Sequence, residues 1–314
     1  MNLPVKEPYK VNIYDYDGEF TENVELGAKT WFRCGGKADL VFEPEDITDL
    51  AIFLKNYPVD QPLTILGGMA NTIIRDGGIR GVTIKLNKSF GDIQVQGNKI
   101  MAGASALNGS VASAAAKAGI GGLEFLSGIP GTVGGALRMN AGAYGAEVGD
   151  VLVGAMAVGR DGRNLPLLRD DMEMGYRYCG VEEGAVFAAG VFEGEFEDKA
   201  TVRKRLKEIK AKRQKTQPIS EKTGGSTFAN PSAEDLKEAG LEDGMKAWQL
   251  VERVGGRELQ IGGARMSDKH LNFMINAGDA TASDLEDLGD ELIKRVKDDC
   301  GLTLHWEIKR VGER

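Results

Sequence analysis

The sequence predicts an α+β fold built from two mixed regions, and two observations support this. Between residue 38 and about residue 198, apolar residues cluster or alternate as they do in strands, and two intervening segments carry them at helical spacing. At residue 199 the composition changes, because residues 199–215 contain nine basic side chains and one acidic one. Helical and strand patterns then resume, so a boundary near 199 is expected to separate two αβ regions.

In the first region, strands are predicted for four short apolar runs: 38–44, 62–68, 81–86 and 99–105. Helices are predicted for EDITDLAIFLKNY and SALNGSVASAAAKAG, where apolar residues recur every three or four positions. VLVGAMAVGRDGRNLPL predicts a hairpin, because Asp-Gly between two apolar runs is a strong turn signal.

In the second region, KATVRKRLKEIKAKRQKTQP predicts a helix that ends before Pro218. MKAWQLVERVG predicts another helix, closed by a glycine pair. FMIN predicts a short strand. TASDLEDLGDELIKRVKDDCG predicts a helix that begins with a capping pair, Thr281 and Asp284. LTLHWEIKRVG alternates as a final strand does.

Composition excludes several classes of protein. A net charge of −8 and a pI near 5.1 do not suit a general nucleic-acid binder. The start, MNLPVKEPYK, carries no apolar run typical of a signal peptide, and no stretch of about 18 apolar residues offers a membrane span. Cys34, Cys179 and Cys300 are few and widely spaced, which favours reduced thiols in a cytoplasmic protein. With His270 and His305 as the two histidines and no CxxC or HExxH motif, no metal site is predicted.

Glycine is concentrated in three segments. The chain has 43 glycines, about twice the usual share of roughly 7%. Residues 119–149 are the richest, LGGMAN at 66–71 follows a predicted strand, and GGSTFANP spans 224–231. Each alone suits a tight turn. Because glycine exposes backbone N–H groups to anions, the first two together indicate a nucleotide-sized cofactor held by loops.

Six ordered motifs resemble the UDP-N-acetylenolpyruvoylglucosamine reductase family, the flavoenzymes called MurB of bacterial peptidoglycan synthesis. They extend from about Thr30 to Glu313. In order they are WFRCGGKADLVFEP, GGLEFLSGIPGTVGGALRMNAGAYG, MGYRYC, GGSTFANP, QIGGARMSDKHLNF and LHWEIKRVGE.

The resemblance implies a domain order. An N-terminal segment, 1–29, would precede a two-lobed FAD-binding domain of the vanillyl-alcohol-oxidase (PCMH) type at 30–198, and a C-terminal α+β substrate-binding domain would occupy 199–314. It also implies FAD and NADPH as cofactors, a UDP-sugar, the enolpyruvyl ether of UDP-N-acetylglucosamine, as substrate, and UDP-N-acetylmuramate as product. A cytoplasmic location is expected. The oligomeric state is left open, with a monomer favoured.

The resemblance also implies the catalytic residues. Hydride from reduced flavin would reach the enolpyruvyl double bond, and Ser226 would give a proton to the adjacent carbon. Arg177 and Glu307 would stabilise the enediolate, with the glutamate protonated or tightly paired. The glycines before Ser226 would let substrate and flavin approach its hydroxyl closely.

The implied binding residues fall in two groups. Those expected to hold the cofactor are Gly67, Gly68, Met69, Ala70, Asn71, Gly128, Ile129, Pro130, Gly131, Thr132, Gly134 and Gly135. Those expected to hold the substrate are Tyr144, Asn230 and His270. An ordinary turn or packing role is the alternative for each of the substrate residues.

Three positions depart from the family pattern, and some alternatives stay open. Cys179 stands where a serine is usual, Met69 replaces a glycine, and Cys34 stands where an aliphatic residue is common. The basic segment 199–215 suits either a solvated helix or a positive surface facing phosphates. The flavin is expected to be non-covalent, because no histidine precedes His270. An FAD oxidase or dehydrogenase acting on alcohols, and a non-catalytic binding module, are the competing functions.

Overall fold

The computed structural model describes residues 11–314, which pack as two compact units. The first unit comprises residues 11–24, Asp39–Gly68 and Arg80–Lys212. The second comprises Glu25–Ala38, Met69–Ile79 and Arg213–Arg314. Both units mix helices and strands, so the predicted α+β class is confirmed.

The elements are numbered along the chain. The strands are β1 (Glu19–Val24), β2 (Ala38–Glu43), β3 (Leu63–Leu66), β4 (Thr72–Ile74), β5 (Ile79–Lys85), β6 (Ile93–Gln96), β7 (Lys99–Gly103), β8 (Ile120–Gly121), β9 (Gly142–Ala143), β10 (Ala146–Glu147), β11 (Leu152–Val158), β12 (Asn164–Leu168), β13 (Val186–Glu193), β14 (Glu195–Phe196), β15 (Lys222–Thr223), β16 (Gln260–Ile261), β17 (Ala264–Ser267), β18 (His270–Asn276) and β19 (Lys309–Val311). The helices are α1 (Ile47–Asn56), α2 (Asn108–Ala118), α3 (Val133–Arg138), α4 (Val148–Val151), α5 (Lys199–Thr216), α6 (Ala233–Glu238), α7 (Ala247–Arg253) and α8 (Ala282–Cys300).

The first unit has two sheets, each with its own apolar core. One sheet has the order β1-β2-β5-β3, and α1 packs on it through buried Leu50, Phe53 and Leu54. The helix begins at Asp46, whose side chain accepts the first free N–H groups of the helix. The predicted helix and its flanking strands are therefore confirmed.

The second sheet has the order β12-β11-β13-β7-β6 and is antiparallel throughout. The β11–β12 pair is the predicted hairpin, since the N–H of Gly159 donates to the carbonyl of Arg163 at 2.8 Å. The core on this sheet includes α2 and the first half of α5, which contributes Val202 and Leu206. The fold therefore ties the start of the basic helix to the first unit.

The second unit is built on the antiparallel sheet β15-β18-β17-β16 and the helices α7 and α8. The predicted capping pair of α8 is present, because the Thr281 hydroxyl accepts the Asp284 N–H and the Asp284 carboxylate accepts the Thr281 N–H. The predicted apolar face of α8 is buried: Leu285, Leu288, Leu292 and Val296.

The predicted final strand is wrong over most of its length. Only Lys309–Val311 forms a strand, β19, which runs parallel to β4. Just before it, Trp306 forms an isolated antiparallel bridge with Phe228. The segment meets two successive partners, and only the second, β4, pairs with it over several residues, so a regular strand forms at its end alone.

The packing units differ from the predicted domains 1–29, 30–198 and 199–314. Residues 25–38 and 69–79 pack with the second unit, and the basic helix up to Lys212 packs with the first. Residues 1–10 of the predicted N-terminal segment lie outside the described residues. The division into functional domains stays a prediction. Within residues 11–314, no helix combines the length and apolar character that crossing a membrane requires.

Candidate active site

Two of the glycine-rich segments touch within the first unit. A β-carbon added to Gly67 would lie 2.8 Å from the Thr132 Oγ1, and one added to Gly68 would lie 2.9 Å from the Gly131 Cα. The Gly68 contact is with backbone and leaves no room for a side chain, whereas Gly67 faces the hydroxyl group of Thr132. The fold thus joins the two segments that together predicted a cofactor site.

The second of these segments is fixed to the start of α2. The N–H of Asn108 donates to the Gly131 carbonyl at 3.2 Å, and the N–H of Gly134 donates to the Ala104 carbonyl at 2.8 Å. The Gly134 N–H is therefore already bonded within the protein. It is not among the backbone N–H groups that could bind an anionic cofactor.

Asn108 itself was missed by the sequence reasoning. Its side chain is 1% exposed, and its Oδ1 has no hydrogen-bond donor among the described residues. A buried amide oxygen without a donor is costly in a folded protein. An asparagine at the start of a small-residue helix gave no signal of its own in the sequence.

Tyr144 packs directly on Gly128, within the glycine-rich residues 119–149. It has a φ of +57°, and its ring fills the space that a β-carbon on Gly128 would need. The Nζ of Lys212, near the end of the basic helix, lies 5.5 Å from the centre of the Tyr144 ring. One predicted substrate residue, one predicted cofactor residue and one basic side chain are thus neighbours.

Arg177 lies in a tight turn. An arginine between two tyrosines is more often found in a strand, paired with a carboxylate. Gly175 and Tyr178 exchange backbone hydrogen bonds of 3.1 and 3.0 Å across the turn, and Arg177 has a φ of +54°. Its guanidinium donates to the Gly142 carbonyl at 3.2 Å and lies over the Tyr176 ring. Backbone strain of this kind persists where surrounding structure enforces it, which is common at functional sites.

A buried asparagine fixes this turn. Asn140 is fully buried, and its Nδ2 donates to the Gly175 carbonyl at 3.0 Å and to the Glu147 carboxylate at 2.8 Å. Its Oδ1 accepts the N–H of Gly149 at 2.8 Å. Asn140, also missed by the sequence reasoning, thus ties the Arg177 turn to the loop that follows Tyr144.

Ser226 lies in the second unit, half-buried, on a backbone held by Asn71. The N–H of Gly225 donates to the Asn71 Oδ1 at 2.9 Å, and the Asn71 Nδ2 donates to the Ser226 carbonyl at 3.2 Å. A β-carbon on Gly224 would lie 2.8 Å from the Asn71 Oδ1 and 2.9 Å from the Phe32 ring. These contacts within the protein account for Gly224, where the sequence reasoning had expected an approach by the ligand.

Glu307 lies on the segment paired with the one that follows Ser226. Its N–H donates to the Thr227 carbonyl at 2.8 Å, and the N–H of Ala229 donates to the His305 carbonyl at 2.9 Å. Two of the three predicted catalytic residues are therefore carried by adjoining segments of one unit. Arg177 belongs to the other unit.

The remaining predicted residues have mixed surroundings. The Oδ1 of Asn230 accepts the N–H of Ala247 at 3.2 Å, at the start of α7, which supports a local structural role for that atom. The Nδ1 of His270 accepts the N–H of Asn272 at 3.2 Å, so a neutral imidazole carries its hydrogen on Nε2. Burial lowers the pKa of His270 below its ordinary value. Met69 is buried with a φ of +49°, a conformation that favours the glycine usual there.

Comparison with known proteins defines the class first. Residues 38–166 match a family model described as "FAD binding domain". The first unit, with its two lobes and touching glycine loops, therefore carries the fold of an FAD-binding domain.

The family follows from the whole chain. Residues 217–311 match the model described as "UDP-N-acetylenolpyruvoylglucosamine reductase, C-terminal domain". The reductase of that name from Parvibaculum lavamentivorans is 47% identical over 95% of this chain and 92% of its own length. The one from Phenylobacterium zucineum is 48% identical over 94% of this chain and 96% of its own. The chain belongs to the UDP-N-acetylenolpyruvoylglucosamine reductase family.

A solved structure agrees with this membership. The structure of UDP-N-acetylenolpyruvylglucosamine reductase (MurB) from Thermus caldophilus superimposes with a TM-score of 0.76 at 28% identity. The match covers 94% of this chain and 99% of that one. The resemblance drawn from the six motifs is thereby confirmed.

Proposed function

We propose that this protein uses FAD and NADPH to reduce UDP-N-acetylenolpyruvoylglucosamine to UDP-N-acetylmuramate, a step of peptidoglycan precursor synthesis. Family membership over nearly the whole chain carries the proposal. The Ser226 and Glu307 segments, joined by the hydrogen bond from Glu307 N–H to the Thr227 carbonyl, favour a reductase over a binding module. A cytoplasmic location and a monomeric state stay predictions.

The residues of the first unit fit a flavin nucleotide. The contact of Gly67 and Gly68 with Gly131 and Thr132 brings the two predicted cofactor segments together within this unit. The buried Oδ1 of Asn108, which lacks a donor among the described residues, is ready to accept a hydrogen bond. FAD, when bound, would supply the hydride for the enolpyruvyl double bond.

The protein's own part in the chemistry concerns charge and a proton. As the double bond is reduced, negative charge develops on the substrate carboxylate. We assign the guanidinium of Arg177 to that carboxylate, because its planar fork suits two oxygen atoms. Glu307 would hold the other side of the enediolate. The strained turn supports the role of Arg177, since it presents the guanidinium from a fixed backbone.

Ser226 would complete the reaction by giving its hydroxyl proton to the carbon beside the carboxylate. A serine hydroxyl is a weak acid, so it must act by placement against a strongly basic carbon. The backbone bonds from Asn71 to Gly225 and Ser226 support such placement. Tyr144, Asn230 and His270 would hold the sugar nucleotide.

One set of measurements tests the function. The purified protein should show a flavin absorption spectrum, bleach with NADPH in the absence of oxygen, and regain its colour when the enolpyruvyl sugar nucleotide is added. Acid precipitation should release all of the colour, because the flavin is not covalently attached. Bleaching by an alcohol, without reoxidation by the sugar nucleotide, would favour the competing oxidase or dehydrogenase. Absence of flavin would favour a different binding module.

A further inference from the structure

A second asparagine amide holds the backbone just after Ser226. Asn272 lies on β18 and is 4% exposed. Its Oδ1 accepts the N–H of Phe228 at 3.0 Å, and its Nδ2 donates to the Phe228 carbonyl at 2.8 Å. Its backbone carbonyl accepts the N–H of Thr227 at 2.7 Å. One residue therefore satisfies three backbone groups within two positions of the serine.

The segment needs this support because it forms no regular strand. Its pairing on the other side is an isolated bridge between Phe228 and Trp306. It also follows Gly224 and Gly225, and glycine leaves a backbone with more conformational freedom than any other residue. Asn71 fixes the segment at Gly225 and Ser226, and Asn272 fixes it two residues later.

The same segment also sets the position of Glu307. The carbonyl of Thr227 accepts the N–H of Glu307, while the N–H of Thr227 donates to Asn272. A shift of Thr227 would therefore move both the serine beside it and the backbone of the glutamate.

We propose that Asn272 is a positioning residue, which holds the Ser226 hydroxyl where it can deliver its proton. The proposal rests on the proposed function, because it requires that Ser226 be the proton donor. It adds a residue outside the predicted catalytic and binding sets, acting through backbone hydrogen bonds. A misplacement of about 1 Å can cost roughly 100-fold in rate.

Asn276 provides a matched control on the same strand. It is 5% exposed, and its Nδ2 donates to the Phe32 carbonyl at 2.9 Å. Its Oδ1 accepts the N–H groups of Gly278 and Ala280 at 3.0 and 3.1 Å. The two asparagines are equally buried and similarly bonded, but the side chain of Asn276 does not bond the Ser226 segment.

The test compares Asn272→Ala and Asn276→Ala by anaerobic stopped flow. In Asn272→Ala, bleaching by NADPH should stay within about threefold of wild type, whereas reoxidation by the enolpyruvyl sugar nucleotide should slow roughly 10- to 100-fold. Asn276→Ala should change neither step by more than about threefold. Equal slowing of reoxidation in both variants, or none in Asn272→Ala, would overturn the proposal.

A double variant separates positioning from a general loss of structure. If Asn272 acts mainly through Ser226, adding Asn272→Ala to Ser226→Ala should slow reoxidation by much less than Asn272→Ala does alone, with the remainder due to the shifted Glu307 backbone. Fully additive slowing would mean that Asn272 acts elsewhere. Should Asn272→Ala not fold, Asn272→Asp, which retains an acceptor for the Phe228 N–H, carries the same test.

Hydrogen exchange distinguishes failure of this proposal from failure of the proposed function. If wild type is not reoxidised by the sugar nucleotide, the proposed function is wrong. Amide exchange over residues 225–229 should still be faster in Asn272→Ala than in wild type or Asn276→Ala. Unchanged exchange there would refute the positioning role by itself.

Discussion

Three residues of the predicted site hold backbone conformations that ordinary side chains avoid. Met69, Tyr144 and Arg177 have φ values of +49°, +57° and +54°. Each such residue costs on the order of 1–3 kcal/mol. Asn140, which fixes the Arg177 turn, also has a positive φ, +38°. These are four of the seven described non-glycine residues with positive φ, so a little over half of them lie in or beside the predicted site.

Arg177 allows this strain to be measured. Arg177→Ala keeps the unfavourable φ, whereas Arg177→Gly removes it, because glycine adopts positive φ without steric cost. Urea unfolding should show the glycine variant to be more stable than the alanine variant by about 1 kcal/mol. Both variants should lose the reoxidation of reduced flavin by the enolpyruvyl sugar nucleotide, since both lack the guanidinium. An alanine variant as stable as the glycine variant would argue against backbone strain at this turn.

His270 predicts a pH dependence of stability. Burial lowers its pKa in the folded protein, while an unfolded histidine titrates near its ordinary value of about 6.5. As the pH falls below that value, the unfolded chain takes up the proton first. The stability that His270 contributes is therefore complete above the unfolded pKa and is lost as the pH falls through the lowered folded pKa.

Urea unfolding between pH 8 and pH 5 tests this reasoning. Wild type should lose more free energy of unfolding on acidification than His270→Asn, which cannot titrate. The difference cannot exceed about 1.4 kcal/mol per pH unit for a single proton. Parallel pH profiles for the two proteins would show that His270 titrates normally.

At the scale of single elements, glycines in two helices give opposite expectations. A β-carbon on Gly289 of α8 would overlap the ring of Trp306. That ring cannot easily move, because its Nε1 donates to Asp290 at 3.0 Å and the guanidinium of Arg310 lies 4.6 Å from its centre. A β-carbon on Gly109 of α2 would have no neighbour within 4 Å.

Thermal or urea unfolding should separate the two alanine variants. Gly109→Ala should stabilise by about 0.5–1 kcal/mol, through helix propensity alone. Gly289→Ala should destabilise by about 1–3 kcal/mol, because overpacking exceeds the gain in propensity. A stabilised Gly289→Ala would mean that Trp306 is free to relocate. Since Glu307 follows Trp306, Gly289→Ala should also slow the reoxidation of reduced flavin by the enolpyruvyl sugar nucleotide.

The basic helix α5 is an element whose role stays a prediction. Arg205 is already paired with Glu124 and Glu197, at 2.7 and 2.6 Å, so that charge is used within the first unit. Lys212, near the other end of the helix, lies against Tyr144, a predicted substrate residue. We therefore propose that the C-terminal end of α5 binds the phosphates of the sugar nucleotide or of NADPH.

Reversing Arg213 and Lys215 to glutamate should raise the Michaelis constants and flatten their dependence on salt, because exposed charges are screened by ions. Reversing Arg203 and Lys204, at the other end of α5, is the control and should change the constants little. If the two double variants had equal effects, or if the Michaelis constants did not change, α5 would be interpreted as a solvated connecting helix.

The elements that could be predicted are those whose causes lie within a few residues. The β11–β12 hairpin depends on Asp161 and Gly162, and the start of α8 depends on Thr281 and Asp284. The final strand could not be predicted, because its form depends on Phe228, almost 80 residues earlier in the chain. Strand patterns indicate that a segment can pair, and they leave its partners undetermined.

At the scale of the whole molecule, the sequence pattern did not predict that each unit is built from separate stretches of the chain. Residues 69–79 join the second unit through contacts more than 200 positions away. Arg75 forks onto Glu286, which is 2% exposed, and Asp76 accepts the N–H groups of Ala282 and Ser283 at 3.0 and 2.8 Å. Amino-acid composition does not predict any of these pairings.

The candidate site divides in the same way. Ser226, Arg177 and Glu307 were predicted because their motifs resemble a family with known chemistry. Asn140 and Asn272 were missed, because a buried amide that bonds to backbone resembles any other asparagine in the sequence. Their roles depend on which distant backbone groups the fold brings to them.

The proposed mechanism depends above all on Ser226, which would supply the proton when the sugar nucleotide is reduced. Ser226→Ala should fold normally, since the loss of one hydroxyl from this turn costs about 1 kcal/mol or less. Bleaching by NADPH needs no such proton and should keep a near-normal rate. Reoxidation by the enolpyruvyl sugar nucleotide should fall about 10²- to 10⁴-fold, as expected for the loss of a positioned general acid. Ser226→Cys should keep part of that rate, because a thiol also carries a proton.

Anaerobic stopped flow on wild type, Ser226→Ala and Ser226→Cys measures both half-reactions in one experiment. We expect normal bleaching in all three proteins, with reoxidation slowest in the alanine variant and intermediate in the cysteine variant. Reoxidation of Ser226→Ala within a few-fold of wild type would contradict the proton-donor role. Failure of the alanine variant to bleach would instead place Ser226 in the reduction of the flavin.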